Sequence, residues 1–159
     1  MSIMGYVIGV VLQTIVLPIV SGTIELVATG GDPVEVYGRW WVFWGVGTRL
    51  LVAGVVQLVR PGTTAAILGS GKPSAAELQV TRELSTANMG MGLAGLLALV
   101  AALAPAAGVA GGVFLLIAGL MHVTKRDKNA RESLATWTDL LVGAAALIFA
   151  AYSLVTILF

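Results

Sequence analysis

The sequence contains no cysteine and a single histidine, His122, and these absences exclude several kinds of site. Without cysteine the chain forms no disulfide, no thiolate metal site, no iron–sulfur cluster and no cysteine nucleophile. One histidine excludes a two-histidine haem site and a three-histidine zinc site within one chain. We therefore expect no metal site and no resident cofactor, with a quinone or a lipid as the alternatives and haem disfavoured.

Charged residues are scarce as well. They make up 11% of the chain, against about 25% in soluble domains. Hydrophobic residues make up 58%, and the mean hydropathy is +0.96. A soluble domain of 159 residues has no interior large enough for so much apolar surface, so the sequence predicts an integral membrane protein. No basic patch with interleaved aromatic residues points to nucleic acid. The expected partners are membrane lipids, a second copy of the chain or a larger membrane complex.

Five apolar runs are long enough to cross a bilayer at about 1.5 Å of rise per helical residue. The predicted fold is an all-α integral membrane bundle of five transmembrane helices, and the alternative is a four-span variant. The predicted spans cover residues 3–28, 40–59, 84–103, 106–123 and 134–159. The segment after Pro61-Gly62 is too short to cross and predicts a short interfacial helix between spans two and three. No Lys or Arg precedes the first run, so we expect a retained helix and not a signal peptide.

The basic residues lie almost entirely on one side of this predicted topology. The N-terminal side would carry Arg60, Lys72, Arg82, Lys125, Arg126, Lys128 and Arg131. The opposite side would carry Arg39. Because positively charged loops stay in the cytoplasm, we expect a bacterial cytoplasmic (inner) membrane protein with its N-terminus inside and its C-terminus outside.

One charge, Arg49, lies near the middle of the apolar run Trp40–Val59. An arginine at the centre of a bilayer costs about 2.5–3.5 kcal/mol on insertion scales, so it should face the bundle interior and pair with an acid. Asp139 is the first expected partner, Glu83 the second and Glu25 the third. The pair either fixes the register of the helices or forms part of a ligand or proton site, and both interpretations stay open.

The other candidate ligand or ion-pair residues are expected to gather beside Arg49 and Asp139 in the cytoplasmic half of the bundle. They are Gln57, Glu83, Asn88 and His122. Glu83 is expected to pair with Arg82 or His122. Glu25 belongs near the outer end, where the tryptophans at the start of the second span predict an interfacial belt.

Two polar motifs resemble a family of small bacterial membrane proteins that is described only as a domain of unknown function. The segment Glu77–Gly95, ELQVTRELSTANMGMGLAG, is similar to the family's stretch RELGxANLxxGxxGLL. The segment Gly119–Val123, with the later Asn129, Glu132 and Asp139, is similar to the stretch GHxxxxxRNxxENxAxxxDL.

This resemblance covers roughly residues 40–150 and departs at Ser85 and Thr86, where the family pattern has Gly and an aromatic residue. It implies a shared architecture and motif set, and no activity. A looser likeness links the chain to DoxX-like proteins, small four-span bundles associated with redox and quinone chemistry.

The sequence shows no Ser/His/Asp arrangement, no metal-ligand cluster and no phosphate-binding loop. We therefore favour a non-enzymatic bundle, an accessory subunit or a binder of a lipid or another hydrophobic ligand. A small proton-coupled transporter is the first alternative, and a membrane redox protein that uses quinone or haem is the second.

Overall fold

The chain folds into eight α-helices within the residues that the computed structural model describes, 3–68 and 72–159. They are α1 (Ile3–Val11), α2 (Leu17–Thr29), α3 (Pro33–Trp41), α4 (Arg49–Val59), α5 (Pro61–Leu68), α6 (Ala75–Leu96), α7 (Ala104–Val123) and α8 (Ala130–Leu158). The π-helical segment π1 (Leu12–Val16) joins α1 to α2, and π2 (Val42–Thr48) joins α3 to α4. Two 3-10 turns, Leu97–Leu99 and Ala101–Leu103, follow α6. The predicted all-α fold is confirmed.

Four continuous helical stretches are long and apolar enough to cross a membrane. They are Met4–Thr29, Pro33–Val59, Ala101–Val123 and Ala130–Leu158. The chain is therefore a multi-pass helical membrane protein. The first two stretches each contain a π-helical segment, and each continues without a break through it.

The predicted third span, 84–103, is not one of these four. Its helix α6 ends at Leu96, and the chain turns at Val100, where the backbone is extended. Even so, α6 runs antiparallel to the second stretch, from the pairing of Asn88 with Gln57 to the backbone contact of Gly95 with Gly47. The two contacts enclose about 15 Å of the second stretch, and the four long apolar stretches agree with the four-span variant of the prediction.

Several helices begin at places that local capping explains. The second stretch begins at Pro33 and not at residue 40, because the Asp32 carboxylate accepts the backbone N–H groups of Val34 and Glu35. The spacing of Ser74 and Glu77 predicts a capping box at the start of α6, and the structure confirms it, since each side chain accepts the other's backbone N–H.

The predicted fourth span begins at residue 106, whereas α7 begins at Ala104. The composition of Pro105-Ala-Ala-Gly108 is typical of a tight turn, but the segment is helical. Pro105 lies in the first turn of α7, where its missing N–H costs nothing, and Gly108 lies inside that helix. The turn falls instead at Val100. The predicted interfacial helix corresponds to α5, Pro61–Leu68, and residues 69–71 lie outside the described part of the chain.

Small side chains line the faces along which the helices pack. On α7 and α8 small and apolar residues three or four positions apart form buried stripes, which include Gly108, Gly112, Leu115, Gly119, Gly143, Ala146 and Ala150. A side chain at Gly112 would meet Leu147 at 2.8 Å, and one at Gly143 would meet the Leu116 backbone at 2.6 Å. Because lipid gives helices no hydrophobic reason to associate, close backbone approach of this kind supplies the packing energy.

Three tryptophan indoles fasten the second stretch to the first. Trp40 donates to the Glu25 carboxylate at 2.6 Å, and Trp44 donates to the Ser21 hydroxyl at 3.0 Å. Trp41 donates to the Thr14 backbone carbonyl at 2.9 Å. The predicted interfacial belt is therefore only part of their role, because all three side chains are partly buried and their donors are used within the bundle.

The hydrogen bond from Trp41 compensates for the backbone N–H that Pro18 lacks. Pro18 has no N–H, so in a regular α-helix the carbonyl of Thr14, four residues earlier, would lose its donor. Here π1 immediately precedes this turn, and the indole of Trp41 supplies a donor from the neighbouring stretch. Thr14 is fully buried, so water cannot take over this bond.

Trp41→Phe should destabilise the protein by about 1 to 2 kcal/mol, because it keeps the ring and leaves the buried Thr14 carbonyl without this donor. The measurement is the midpoint of unfolding by SDS titration in mixed micelles. Trp44→Phe is the matched control, since the Ser21 hydroxyl that loses its indole donor is only partly buried. Equal midpoints for the two variants would contradict the role of Trp41.

The Asp32 cap of α3 should make the free energy of unfolding depend on pH. The backbone N–H of Glu35 and the Tyr152 hydroxyl, 2.9 Å from Asp32, hold the pKa of the Asp32 carboxyl below its usual value. Because the folded-state pKa is the lower one, this carboxylate stabilises the fold above about pH 4, and its contribution is lost as the pH falls through the folded-state value. The stability difference between wild type and Asp32→Asn should therefore shrink between pH 6 and pH 3. A difference that is constant over this range would contradict the cap.

Candidate functional site

Arg49 lies on the second stretch directly after π2, and its guanidinium faces α8. Nη2 donates to Asp139 Oδ1 at 2.5 Å and to the Thr138 hydroxyl at 3.1 Å. Thr138 can accept this bond because its own proton goes to the Leu134 carbonyl at 2.9 Å. The ion pair that the sequence predicted, Arg49 with Asp139, is present.

Half of the Arg49 guanidinium is unused. Nη1 is buried and has no hydrogen-bond partner within the described residues. A guanidinium usually meets a carboxylate through two parallel bonds, whereas Asp139 takes one nitrogen only. The side chains keep 13% and 10% of their surface exposed, so the pair is not completely sealed inside the bundle.

The Tyr6 phenol links a second cation to this pair. The guanidinium carbon of Arg131, on α8, is 5.9 Å from the centre of the Tyr6 ring on α1. Tyr6 interacts electrostatically with Arg49, Asp139 and Arg131. These three charged residues, with Tyr6 and Thr138, are called the Arg49 site below. They bring together α1, α4 and α8.

The two π-helical segments lie beside the Arg49 site. π1 and π2 contact each other, and Gln13 donates to the Thr48 hydroxyl at 3.4 Å. A π-helical turn holds an extra residue and rotates the side chains that follow it, and such turns are frequent at functional sites. The rotation after π2 sets the direction in which Arg49 leaves its helix.

Gln57 and Asn88 form a separate pair between α4 and α6. The Asn88 amide nitrogen donates to the Gln57 carbonyl oxygen at 2.7 Å, and both side chains are buried. The Asn88 oxygen has no partner within the described residues. Gly54 and Gly92 lie on the same interface, where a Cβ at either one would approach neighbouring backbone within 3 Å. This tight packing makes the amide pair a structural contact between two helices.

A third polar group lies where α7 meets α8, and its central residue is Glu132. This carboxylate is 1% exposed and accepts from Lys125 at 2.9 Å, with His122 Nδ1 at 3.5 Å. The sequence indicates that Glu132 is buried through its spacing to Thr136 and Asp139, because residues four and three apart share one face of α8. The predicted start of the fifth span at residue 134 hid this spacing, because it left Glu132 in a loop.

Glu83 and Glu25 lie apart from these groups. Glu83 is exposed and accepts from Gln79 at 2.8 Å, so the expected pairings with Arg49 and His122 are wrong. Glu25 binds Arg39 at 2.6 Å as well as the Trp40 indole, at the far end of the second stretch. The predicted single cluster is therefore three separate groups in the structure.

Metal binding has no obvious place in the described part of the chain. Across residues 3–68 and 72–159, no group of three or more His, Asp and Glu side chains is arranged to hold a metal ion.

The comparisons with known proteins agree with the resemblance read from the two polar motifs. No curated protein and no solved structure matches the chain. One family profile matches residues 2–156, nearly the whole chain, including α1 and the first span that the motif resemblance did not reach. The chain belongs to DUF6790, a family of unknown function.

Proposed function

We propose that the protein is a non-enzymatic membrane bundle that binds a lipid or another hydrophobic ligand at the Arg49 site. The observation that carries this proposal is the half-used guanidinium of Arg49, whose Nη1 is buried without an acceptor. An ion pair that served only to fix the helices would gain most from two bonds to Asp139. Leaving one nitrogen unpaired costs free energy that a ligand oxygen would recover.

The surroundings of Arg49 suit a ligand with an apolar tail. On α4, Val52 lies three residues after Arg49, and Val56 lies four residues after Val52. Their side chains are 54% and 41% exposed. Residues at these spacings share a helix face. A hydrocarbon chain lying along this face would place its polar end at Arg49.

Native mass spectrometry of the protein, purified in mild detergent, tests this proposal. We expect wild type to carry a small-molecule adduct, and the double variant Arg49→Gln/Asp139→Asn to lose it. The double variant removes both charges and keeps groups that can hydrogen-bond to each other. Arg60→Gln, which removes an exposed cation from the end of the same helical stretch, should retain the adduct. A wild-type protein that is always free of ligand would overturn the proposal.

We also propose a bacterial inner-membrane location with the N-terminus in the cytoplasm, on the strength of the uneven distribution of Lys and Arg. The absence of cysteine makes the test simple, because single-cysteine variants need no background removed. Val34→Cys should react with an impermeant maleimide in intact cells, and Lys72→Cys should react only after lysis. The reverse pattern would contradict this orientation.

A second candidate function is proton-coupled transport. Glu132 and Asp139 are both buried on α8, seven residues or about 10 Å apart along the helix. Buried carboxylates in series are typical of proton relays in membrane proteins. Proton flux in liposomes that is the same for wild type and Asp139→Asn would contradict this candidate.

A further inference from the structure

We infer that the ligand of the Arg49 site is an uncharged amphiphile whose polar end is a hydroxyl or carbonyl oxygen. This inference rests on the proposed function and names the chemical class of the ligand. It follows from the unused donor of Arg49, from the neutrality of its pair with Asp139 and from the depth of that pair in the membrane.

The unused donor requires an oxygen. Nη1 of Arg49 is buried and has no hydrogen-bond partner within the described residues, whereas Nη2 already donates to Asp139 and Thr138. A buried N–H group without an acceptor costs free energy that a well-placed oxygen would recover, whether that oxygen is charged or neutral. A purely apolar ligand would leave the donor unpaired, so the ligand needs an acceptor of its own.

The charge of the ion pair selects a neutral oxygen over an oxyanion. Arg49 and Asp139 carry one positive and one negative charge and are in contact, so their sum is zero. An oxyanion on Nη1 would leave one uncompensated negative charge in surroundings of low polarity, which is costly. It would also approach the second oxygen of Asp139, Oδ2, which accepts no hydrogen bond within the described residues. Two anions at short range repel each other, and a hydroxyl or a carbonyl avoids this repulsion.

The depth of the site also disfavours a charged headgroup. Arg49 follows Arg39 by ten residues and precedes Arg60 by eleven, which places it about 15 Å from either end of this apolar run. The hydrocarbon core is about 30 Å thick, so Arg49 lies near its centre. The phosphate of a phospholipid would have to leave the interface to reach Nη1, whereas a hydroxyl or an ester brings no charge into the hydrocarbon.

An apolar chain completes the ligand. The exposed side chains of Val52 and Val56 continue from Arg49 along α4 toward α5. A long-chain alcohol and a long-chain ester both carry an uncharged oxygen on hydrocarbon, so the shared chemistry fits either source.

The test compares probes with hydrocarbon chains of similar length and different polar ends. Oleyl alcohol and methyl oleate carry a neutral oxygen, oleate carries an anion at alkaline pH, and octadecene carries no oxygen. Binding of the radiolabelled probes to immobilised wild-type protein in a neutral detergent is measured at alkaline pH, against the mole fraction of probe in the micelle. We expect oleyl alcohol or methyl oleate to bind at least about tenfold more tightly than both oleate and octadecene. The tighter of the two neutral probes identifies the polar end as a hydroxyl or a carbonyl.

Variants then assign the preference to Arg49. Arg49→Leu/Asp139→Leu removes the donor and both charges, so it should bind the two oxygen-bearing neutral probes no more tightly than octadecene. Arg60→Leu should keep the wild-type ratios. Circular dichroism and gel filtration report whether the double variant folds, and the probe comparison on wild type decides the inference if it does not.

The outcomes separate this inference from the proposed function. Oleate that binds wild type as tightly as the neutral probes would overturn the uncharged class, and octadecene that does so would overturn the need for an oxygen. Either result still leaves a bound hydrophobic ligand, which is what the proposed function requires. No binding of any probe would overturn both. An unchanged preference in a folded double variant would mean that the oxygen binds elsewhere, which overturns the assignment to Arg49.

Discussion

Arg49→Leu should destabilise the bundle by about 3–5 kcal/mol, because it leaves the Asp139 carboxylate buried without its cation. Both side chains are largely buried, at 13% and 10% exposed, so little water is available to solvate the remaining charge. The measurement is the free energy of unfolding from SDS titration in mixed micelles. This loss exceeds what removal of a surface cation would give, which is about 0–1 kcal/mol.

A second substitution shows whether the loss comes from the unpaired carboxylate. Asp139→Leu in the Arg49→Leu background should restore most of the stability, because an apolar pair replaces a buried ion pair at little cost. Arg60→Leu is the control for removing an exposed cation, and it should change stability by less than about 0.5 kcal/mol. A double variant no more stable than Arg49→Leu would show that Arg49 is held by a different group.

Gly95→Leu should destabilise the protein by about 3 kcal/mol or more, since overpacking a close contact costs about 1–3 kcal/mol and here the obstacle is backbone. A Cβ at Gly95 would lie 2.5 Å from the Gly47 nitrogen and 2.6 Å from its Cα. Backbone cannot move aside as a flexible side chain can, so α6 would have to separate from π2.

Gly90 provides the matched control for this prediction. It lies on the same helix, it is exposed, and nothing lies within 4 Å of a Cβ placed there. Gly90→Leu should therefore be neutral or stabilising, because leucine has the higher helix propensity by roughly 0.8–1 kcal/mol. Comparable losses for Gly90→Leu and Gly95→Leu would show that the contact between α6 and π2 does not stabilise the bundle.

Much of the helix packing could be predicted from the sequence. Ser85, Asn88, Gly92 and Gly95 on α6 are three or four residues apart, which predicts that they share one helix face, and all four are buried on the helix that packs against the second stretch. Small residues at helical spacing carry this information because close approach of backbones in lipid requires them. The same spacing argues against Glu83, which lies two residues from Ser85 and so faces nearly the opposite way.

The contact between Arg49 and Asp139 could also be predicted, because a cation inside the membrane needs a carboxylate at a depth that it can reach. The other pairings could not. Depth and helix face are local properties of a sequence, whereas His122 meets Glu132 because α7 and α8 are neighbours. Glu132 itself was missed because its helix begins at Ala130, where the Asn129 cap starts it.

The sequence by itself determined that this is a helical membrane protein, that its helices have small or polar inward faces, and that one arginine lies inside. These properties depend on the hydropathy of the residues and on the helical period of 3.6 residues, and both follow directly from the order of residues in the chain. Only the tertiary structure decided that π2 precedes Arg49 and that Arg131 lies over the ring of Tyr6. It also decided that Asp139 binds one of the two terminal nitrogens of Arg49. Those features depend on which helices become neighbours and on how each is rotated, and the packing of the whole bundle sets both.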